Sequence, residues 1–465
     1  MKYTRICCGN TADPAILVEN GKYYLTVSSF RSFPGLKIYE SENLTEWKKI
    51  NAAVFGNISD IWAPDICKIG DRYFIYFPDS SGNIYAVYTD NLYSQWSSPI
   101  LLGSVGMIDP GFARDVKSGQ NWLFFSGGYA VPLSKDGLSF AGEPKMVYEP
   151  WKIPDEWDVE GVCCEGPKLF YRDGYYYLTL AEGGTAGPAT SHMAVMFRSE
   201  RLTDGWEPSP YNPVLHTYSP KDRWWSVGHA TPFEATDGSW KLIFHGYEKG
   251  HYNEGRQILI CNAVWENGWL KAVASENADI MPQDREYVFA DTKAEKLWTD
   301  ISFFGSFDSN RLKITRNGLE LNGMGESVRD SCPLLINETA GDFEILAQFV
   351  DIENQGEFGL TFFYNENCNA GICLKNSYVN TFCLGGYRGY KKISSDVLYL
   401  KIIKHDDVLT YYFSEDGLRF TKTETSDEVS GFHHNVFKGF LSLAPGIYAT
   451  GGCTAKCKKL ILKFI

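Results

Sequence analysis

The chain has 465 residues, enough for two domains with cores of their own. Its 28 Tyr, 29 Phe and 13 Trp, with 44 Gly and few amphipathic helical patterns, read as an all-β protein of short strands and tight turns. A formal net charge of −13 repels phosphate backbones and argues against nucleic acid, and no run of about 18 apolar residues offers a membrane span.

Met1 is followed almost at once by a polar segment that leaves no room for an apolar signal region. The twelve cysteines contain no CxxC pair, and the adjacent Cys163 and Cys164 suit neither a zinc site nor a disulfide framework. Free thiols in a reducing compartment are the simpler account, so the expected location is cytoplasmic.

Along the chain a Gly-containing turn followed by an aromatic-rich strand recurs five times. The copies are NGKYYLTVSS from Asn20, GDRYFIYFPD from Gly70, SGQNWLFFSGG from Ser118, RDGYYYLTLAEGG from Arg172 and TDGSWKLIFHG from Thr236. The turn glycines Gly21, Gly70, Gly119, Gly174 and Gly238 are 49, 49, 55 and 64 residues apart. That is room for about four strands per repeat, the size of a propeller blade. Five blades would occupy residues 1–285.

Just upstream of the turns lie TADPAIL with Asp13, WAPDICK with Trp62 and Asp65, MIDPGF with Asp109, CCEGPKL with Glu165 and GHATPF with His229. Turn chemistry accounts for any one acid beside a proline. Five in register are another matter, because the innermost strand of every blade lines the central channel and equivalent positions there converge. A ring of acids at one end of a channel is costly unless it has a job.

Between Asp279 and Leu297 the rhythm breaks into the charged stretch QDREYVFADTKAEK from Gln283, read here as a linker over 286–299. Alternating strands then return: FEILAQFVDI from Phe343, GEFGLTFFYN from Gly356, VLYLKIIKHDD from Val397, VLTYYFSEDGLRF from Val408 and the terminal KKLILKFI. Residues 300–465 therefore read as a two-sheet β-sandwich.

Eight motifs in order carry a family resemblance: ADP, SSFxxFPGL (Ser28 to Leu36), WAPD, IDP, EGP, EGGT (Glu182 to Thr185), WWSVGHA (Trp224 to Ala230) and GRQ (Gly255 to Gln257). Together they resemble glycoside hydrolase family 43, whose catalytic domain is a five-bladed propeller. The region from about residue 300 is similar to the concanavalin-like sandwich appended to many β-xylosidase-type members. TADPA, and Ile108 before Asp109, depart from the NDPNG and RDP of invertase-type propellers, so retaining chemistry of that kind is disfavoured.

The resemblance implies an inverting hydrolase, with Asp13 as general base, Glu165 as general acid and Asp109 tuning and orienting the acid. In the inverting geometry the two working carboxyls stand about 6.5–9.5 Å apart, with room for water. Glu165 must then hold its proton near neutral pH, which burial and a neighbouring negative charge both favour. Glu160 and Glu182 are rivals for the acid but lack the EGP context. Asp65 faces a structural alternative, bonded to backbone, and stays outside the catalytic set.

Phe30 and Trp62 carry over as walls of the terminal-sugar pocket, with Thr185, His229 and Arg256 lining it or bonding to hydroxyls. The guanidinium fork of Arg256 also suits Asp13 or Glu165. The matching histidine touches a calcium ion in many members and only the active-site network in others. One imidazole is no metal site by ligand count, so no cofactor is required and calcium at His229 stays open.

The expected function is an exo-acting β-xylosidase on xylo-oligosaccharides, with α-L-arabinofuranosidase or both activities as the near alternative. A non-catalytic sugar-binding propeller is the alternative of another class. The expected partner is an oligosaccharide, and a homo-oligomer stays open. The second domain is expected to be a packing partner that lends a loop to the pocket, or else a carbohydrate-binding module.

Overall fold

Glycine turns set the hairpins from which the first part of the molecule is built. In the computed structural model, which describes residues 2–56, 58–275, 277–289, 294–352 and 356–465, all five turn glycines have φ between +61° and +90°. A side chain there would collide with the following carbonyl, so the turn closes tightly only around glycine. The chain forms two compact units. One comprises residues 1–7, 11–249 and 256–280; the other comprises 8–10, 250–255 and 281–465.

The first unit is a five-bladed β-propeller. Blade one runs outward through Ala15–Glu19, Lys22–Thr26, Gly35–Ser41 and Lys48–Val54. Blade two follows with Asp65–Ile69, Arg72–Pro78, Asn83–Thr89 and Ile100–Ser104, and blade three with Gly111–Arg114, Asn121–Phe124, Tyr129–Pro132 and Lys145–Met146. Blade four has Glu165–Arg172, Tyr175–Glu182, Met193–Ser199 and Glu207–Pro208, with Leu215–His216 also on the edge of Met193–Ser199. Blade five has Trp224–Glu234, Trp240–Glu248 and Gln257–Glu266.

The outer edge of that last strand is shared. Trp269–Val273 pairs with its second half, while Thr4–Cys7, from the start of the chain, pairs antiparallel with its first half, Thr4 opposite Ile260. The ring is thus clasped by hydrogen bonds between the first strand and the last blade. Each innermost strand touches the next, and the fifth touches the first.

The aromatic surplus goes into the spaces between blades. Phe74 and Tyr76 of blade two meet Leu123 and Phe125 of blade three, and Tyr177 of blade four meets Trp240 and Phe244 of blade five. Strands such as Tyr175–Glu182 are buried on both faces and carry no polar alternation.

The second unit is a β-sandwich. One sheet orders Leu312–Thr315, Gly318–Asn322, Thr454–Phe464, Phe343–Val350, Val397–His405, Val408–Ser414 and Thr421–Glu428. The other orders Gly386–Lys392, Tyr378–Cys383, Cys368–Lys375, Glu357–Asn365, Ala444–Ala449, Leu334–Leu335 and Ser302–Phe304. Phe343–Val350 alternates strictly between buried and half-buried residues, as a strand with one core face should.

The stretch 286–299 differs from the linker expected there. Arg285–Val288 is a strand on the edge of Thr454–Phe464, and Tyr287 and Phe289 are buried in the sandwich core. Glu286 points outward while Tyr287 and Phe289 point in, an alternation that the surrounding charge density obscured. Residues 290–293 lie outside the described residues, and Ala294–Asp300 is a short helix. All twelve cysteines are free thiols, and no helix among the described residues is long and apolar enough to cross a membrane.

Candidate active site

At the mouth of the channel one residue in or just before the inner strand of three blades adopts an unusual backbone. Asp13, Asp109 and His229 have φ of +58°, +59° and +53° at the corresponding step of blades one, three and five. A left-handed conformation costs a non-glycine residue about 1–2 kcal/mol, least for Asp and Asn. Strain repeated at one level of the ring, and held there by it, belongs to the class that clusters at functional sites.

Asp13 is buried and densely bonded. Its Oδ1 lies 3.2 Å from Arg256 Nη1, 3.2 Å from His245 Nδ1 and 3.4 Å from His229 Nδ1, and its Oδ2 accepts from Ser28 Oγ at 2.5 Å. Burial alone would raise its pKa, but the Arg256 guanidinium, then the two imidazoles, hold it well below the usual carboxylate range. Burial lowers His245 and lowers His229 to about 3, so both rings are neutral near pH 7. Arg256 is therefore the formal charge that keeps Asp13 ionised.

Asp109 and Glu165 face the opposite pressure. Asp109 is buried, accepts the Gly166 N–H at 3.0 Å, and is pushed up to about 7 by burial and then by the charge of Asp13. Glu165 opens blade four and is half-buried, and its carboxyl makes no hydrogen bond among the described residues. Burial first, then the charges of Asp109 and Asp13, raise it well above the ordinary carboxyl range, against the opposing pull of Arg256. One acid is held ionised and another protonated within a single electrostatic cluster, the division of labour that acid–base chemistry needs.

Of the expected binding residues, Phe30 and Arg256 join this cluster. The guanidinium stands 5.4 Å from the centre of the Phe30 ring, and Phe30 exchanges backbone hydrogen bonds with Ile61, next to Trp62. Trp62 is half-buried. His229 lies edge-on to Gly166, where an added Cβ would come within 2.9 Å of its ring. Thr185 stands apart: it is buried, its hydroxyl has no hydrogen bond, and it is bonded to none of the three acids.

The other acids separate cleanly. Asp65 accepts from Lys168 Nζ at 2.8 Å and from the Phe112 N–H at 2.7 Å. Lys168, on the inner strand of blade four, also donates to Pro64 O at 2.9 Å, so this pair ties blades two, three and four together. Glu182 is fully buried, accepts the Trp151 N–H at 2.7 Å and is raised to about 8 by burial. Glu160 accepts the Ala186 N–H at 2.8 Å and lies against Gly184 and Gly187.

Three residues of the site escaped the sequence reading: Ser28, His192 and His245. His192 stacks on His245 with ring centres 5.1 Å apart, and Gly228 makes space for it, since a Cβ there would come within 2.5 Å of the imidazole. The signal was a polar residue in an otherwise apolar buried strand, as His245 is in Trp240–Glu248. The residues present do not suit a protein-ligated calcium ion. Calcium takes six to eight oxygens, whereas His229 offers nitrogen, and no group of three or more His, Cys, Asp or Glu among the described residues has metal-binding geometry.

A family model described as "Glycosyl hydrolases family 43" matches residues 5–270. The chain is 30% identical over 285 residues to a xylosidase/arabinosidase of Butyrivibrio fibrisolvens, covering 55% of this chain and 53% of that protein. It is 28% identical over 293 residues to a non-reducing end α-L-arabinofuranosidase of Bacteroides ovatus, covering 57% and 52%. It is 26% identical over 308 residues to a xylan 1,3-β-xylosidase of Vibrio sp, covering 56% and 55%. The chain thus spans little more than half the length of these relatives. Among solved structures, a GH43 protein of Bacillus licheniformis superposes with a TM-score of 0.86 at 21% identity over 100% of both chains. The xylan β-1,4-xylosidase of Bacillus halodurans C-125 gives 0.85 at 21%, again over 100% of both. At that identity the likeness concerns the fold.

Proposed function

This chain belongs to glycosyl hydrolase family 43, and from that premise we propose that it is an inverting, exo-acting β-xylosidase releasing terminal pentose from xylo-oligosaccharides. The observation that carries the reading is the opposed pair of shifts, with Asp13 held ionised beside Arg256 and Glu165 held protonated beside Asp109. In this mechanism Asp13 takes a proton from a water molecule as its oxygen bonds to the anomeric carbon. Glu165 gives its proton to the glycosidic oxygen as the old bond breaks. The water attacks from the face opposite the leaving group, so the anomeric configuration inverts. Asp109 acts through Glu165.

The exo reading draws support from the relative whose name specifies the non-reducing end. A second reading, α-L-arabinofuranosidase or both activities, is favoured by the arabinosidase names among the relatives. Release rates from an aryl β-xyloside and an aryl α-L-arabinofuranoside, measured side by side, decide between them. Proton NMR of the first-formed sugar should show the inverted anomer; retention would sink the direct-water mechanism. Glu165→Gln and Asp13→Asn should each abolish turnover of xylobiose, and full activity in both would overturn this assignment of the acid and the base.

A further inference from the structure

We infer that a row of aromatic rings across the channel-mouth end of blade four, ending in Tyr218, is a remote platform for the leaving-group end of an oligosaccharide substrate. The inference rests on the reading of Glu165 as general acid. An acid that protonates the leaving oxygen must touch it, so the leaving chain departs past Glu165 and over blade four.

The register of that blade shows what lies along the way. Glu165 is opposite Ala181, Ala181 opposite Ala194 and Ala194 opposite Leu215, which puts His216 at the same end of the sheet three strands out. Three strand spacings are about 14 Å, several sugar units from the bond that breaks. Trp151 donates its N–H to Glu182 on the second strand, and its ring lies 6.2 Å from that of Trp157. Trp157 in turn stacks on His216 at 4.6 Å with only 2° between the planes, and His216 meets Tyr218 edge-on at 5.0 Å.

The row leads outward from the acid's own hairpin to a ring that is 66% exposed. His216 is itself buried and fixed by a 2.7 Å contact from Nε2 to Thr190 O, so the ring that braces Tyr218 is held in place. An exposed aromatic ring on a rigid support suits the apolar C–H face of a pyranose. The neighbouring Trp151 and Trp157 are half-buried and continue the same surface inward. The rings carry no charge at neutral pH, which fits a neutral glycan.

The test compares kcat/KM on an aryl glycoside, a disaccharide and a hexasaccharide that share one terminal sugar. Tyr218→Ala should lower the hexasaccharide-to-aryl ratio of kcat/KM by about fivefold, the scale of one aromatic contact, through KM more than kcat. Tyr218→Phe, which keeps the ring and loses the hydroxyl, should restore the ratio. An unchanged ratio in Tyr218→Ala, or an equal loss on all three substrates, overturns the platform while leaving the hydrolase reading intact. A wild-type protein inactive on all three overturns the hydrolase reading and the platform with it.

Discussion

A carboxyl group keeps its proton near neutral pH only where the charged form is penalised, and in this channel the penalty falls unequally on three acids. Asp13 escapes it because Arg256 is 3.2 Å away, while Glu165 has no such partner. The rate should therefore fall as pH rises through the pKa of Glu165. Asp109→Asn removes a charge that raises Glu165, so the alkaline limb of kcat/KM should move to lower pH, read from a full pH–rate profile. The same residue has a stability signature. Its folded-state pKa of about 7 lies above the ordinary 3.8, so the folded chain binds more protons across that window and loses stability as pH rises through it. Asp109→Asn should consequently melt higher than wild type at pH 8, by about 2–4 °C per kcal/mol relieved, and the gain should vanish near pH 4 in calorimetry. Less activity with more stability is the expected pairing, because the strain serves the chemistry.

Strands and hairpins were the legible level. Five turn glycines and five channel-entry motifs sit where the periodicity placed them, since a hairpin turn and a period-two strand are local properties. The contacts within the site were not local. Asp13 meets His229, His245 and Arg256 more than 200 residues away in sequence, and only the closure of the ring brings them together. Asp65 illustrates the ambiguity of a motif: WAPD resembles its neighbours, yet the carboxylate goes to Lys168 and the Phe112 N–H. Lys168→Met leaves that half-buried carboxylate without its cation and should cost about 1–3 kcal/mol, seen as a lower denaturant midpoint. Gly228→Ala should cost about 1–3 kcal/mol, because the new methyl meets the His192 ring that stacks on His245. The strand at Arg285–Val288 was hidden for a different reason: flanking charges masked the period-two spacing of the buried Tyr287 and Phe289.

At the scale of the molecule, the propeller is a closed circle made from an open chain, and Thr4–Cys7 supplies the closure. Removing residues 2–7 should unclasp blade five and replace one cooperative propeller transition with an earlier, broader one in thermal scans. The clasp also has a cost in time. A ribosome adds about 5–20 residues per second, and Thr4 emerges some 250 residues ahead of its partner Ile260. For roughly 10–50 s the nascent strand has no edge to pair with, while the blades behind it form one by one. An unpaired strand is a template for the wrong neighbour, so this interval is when the chain is most exposed to misassembly and has most use for a chaperone.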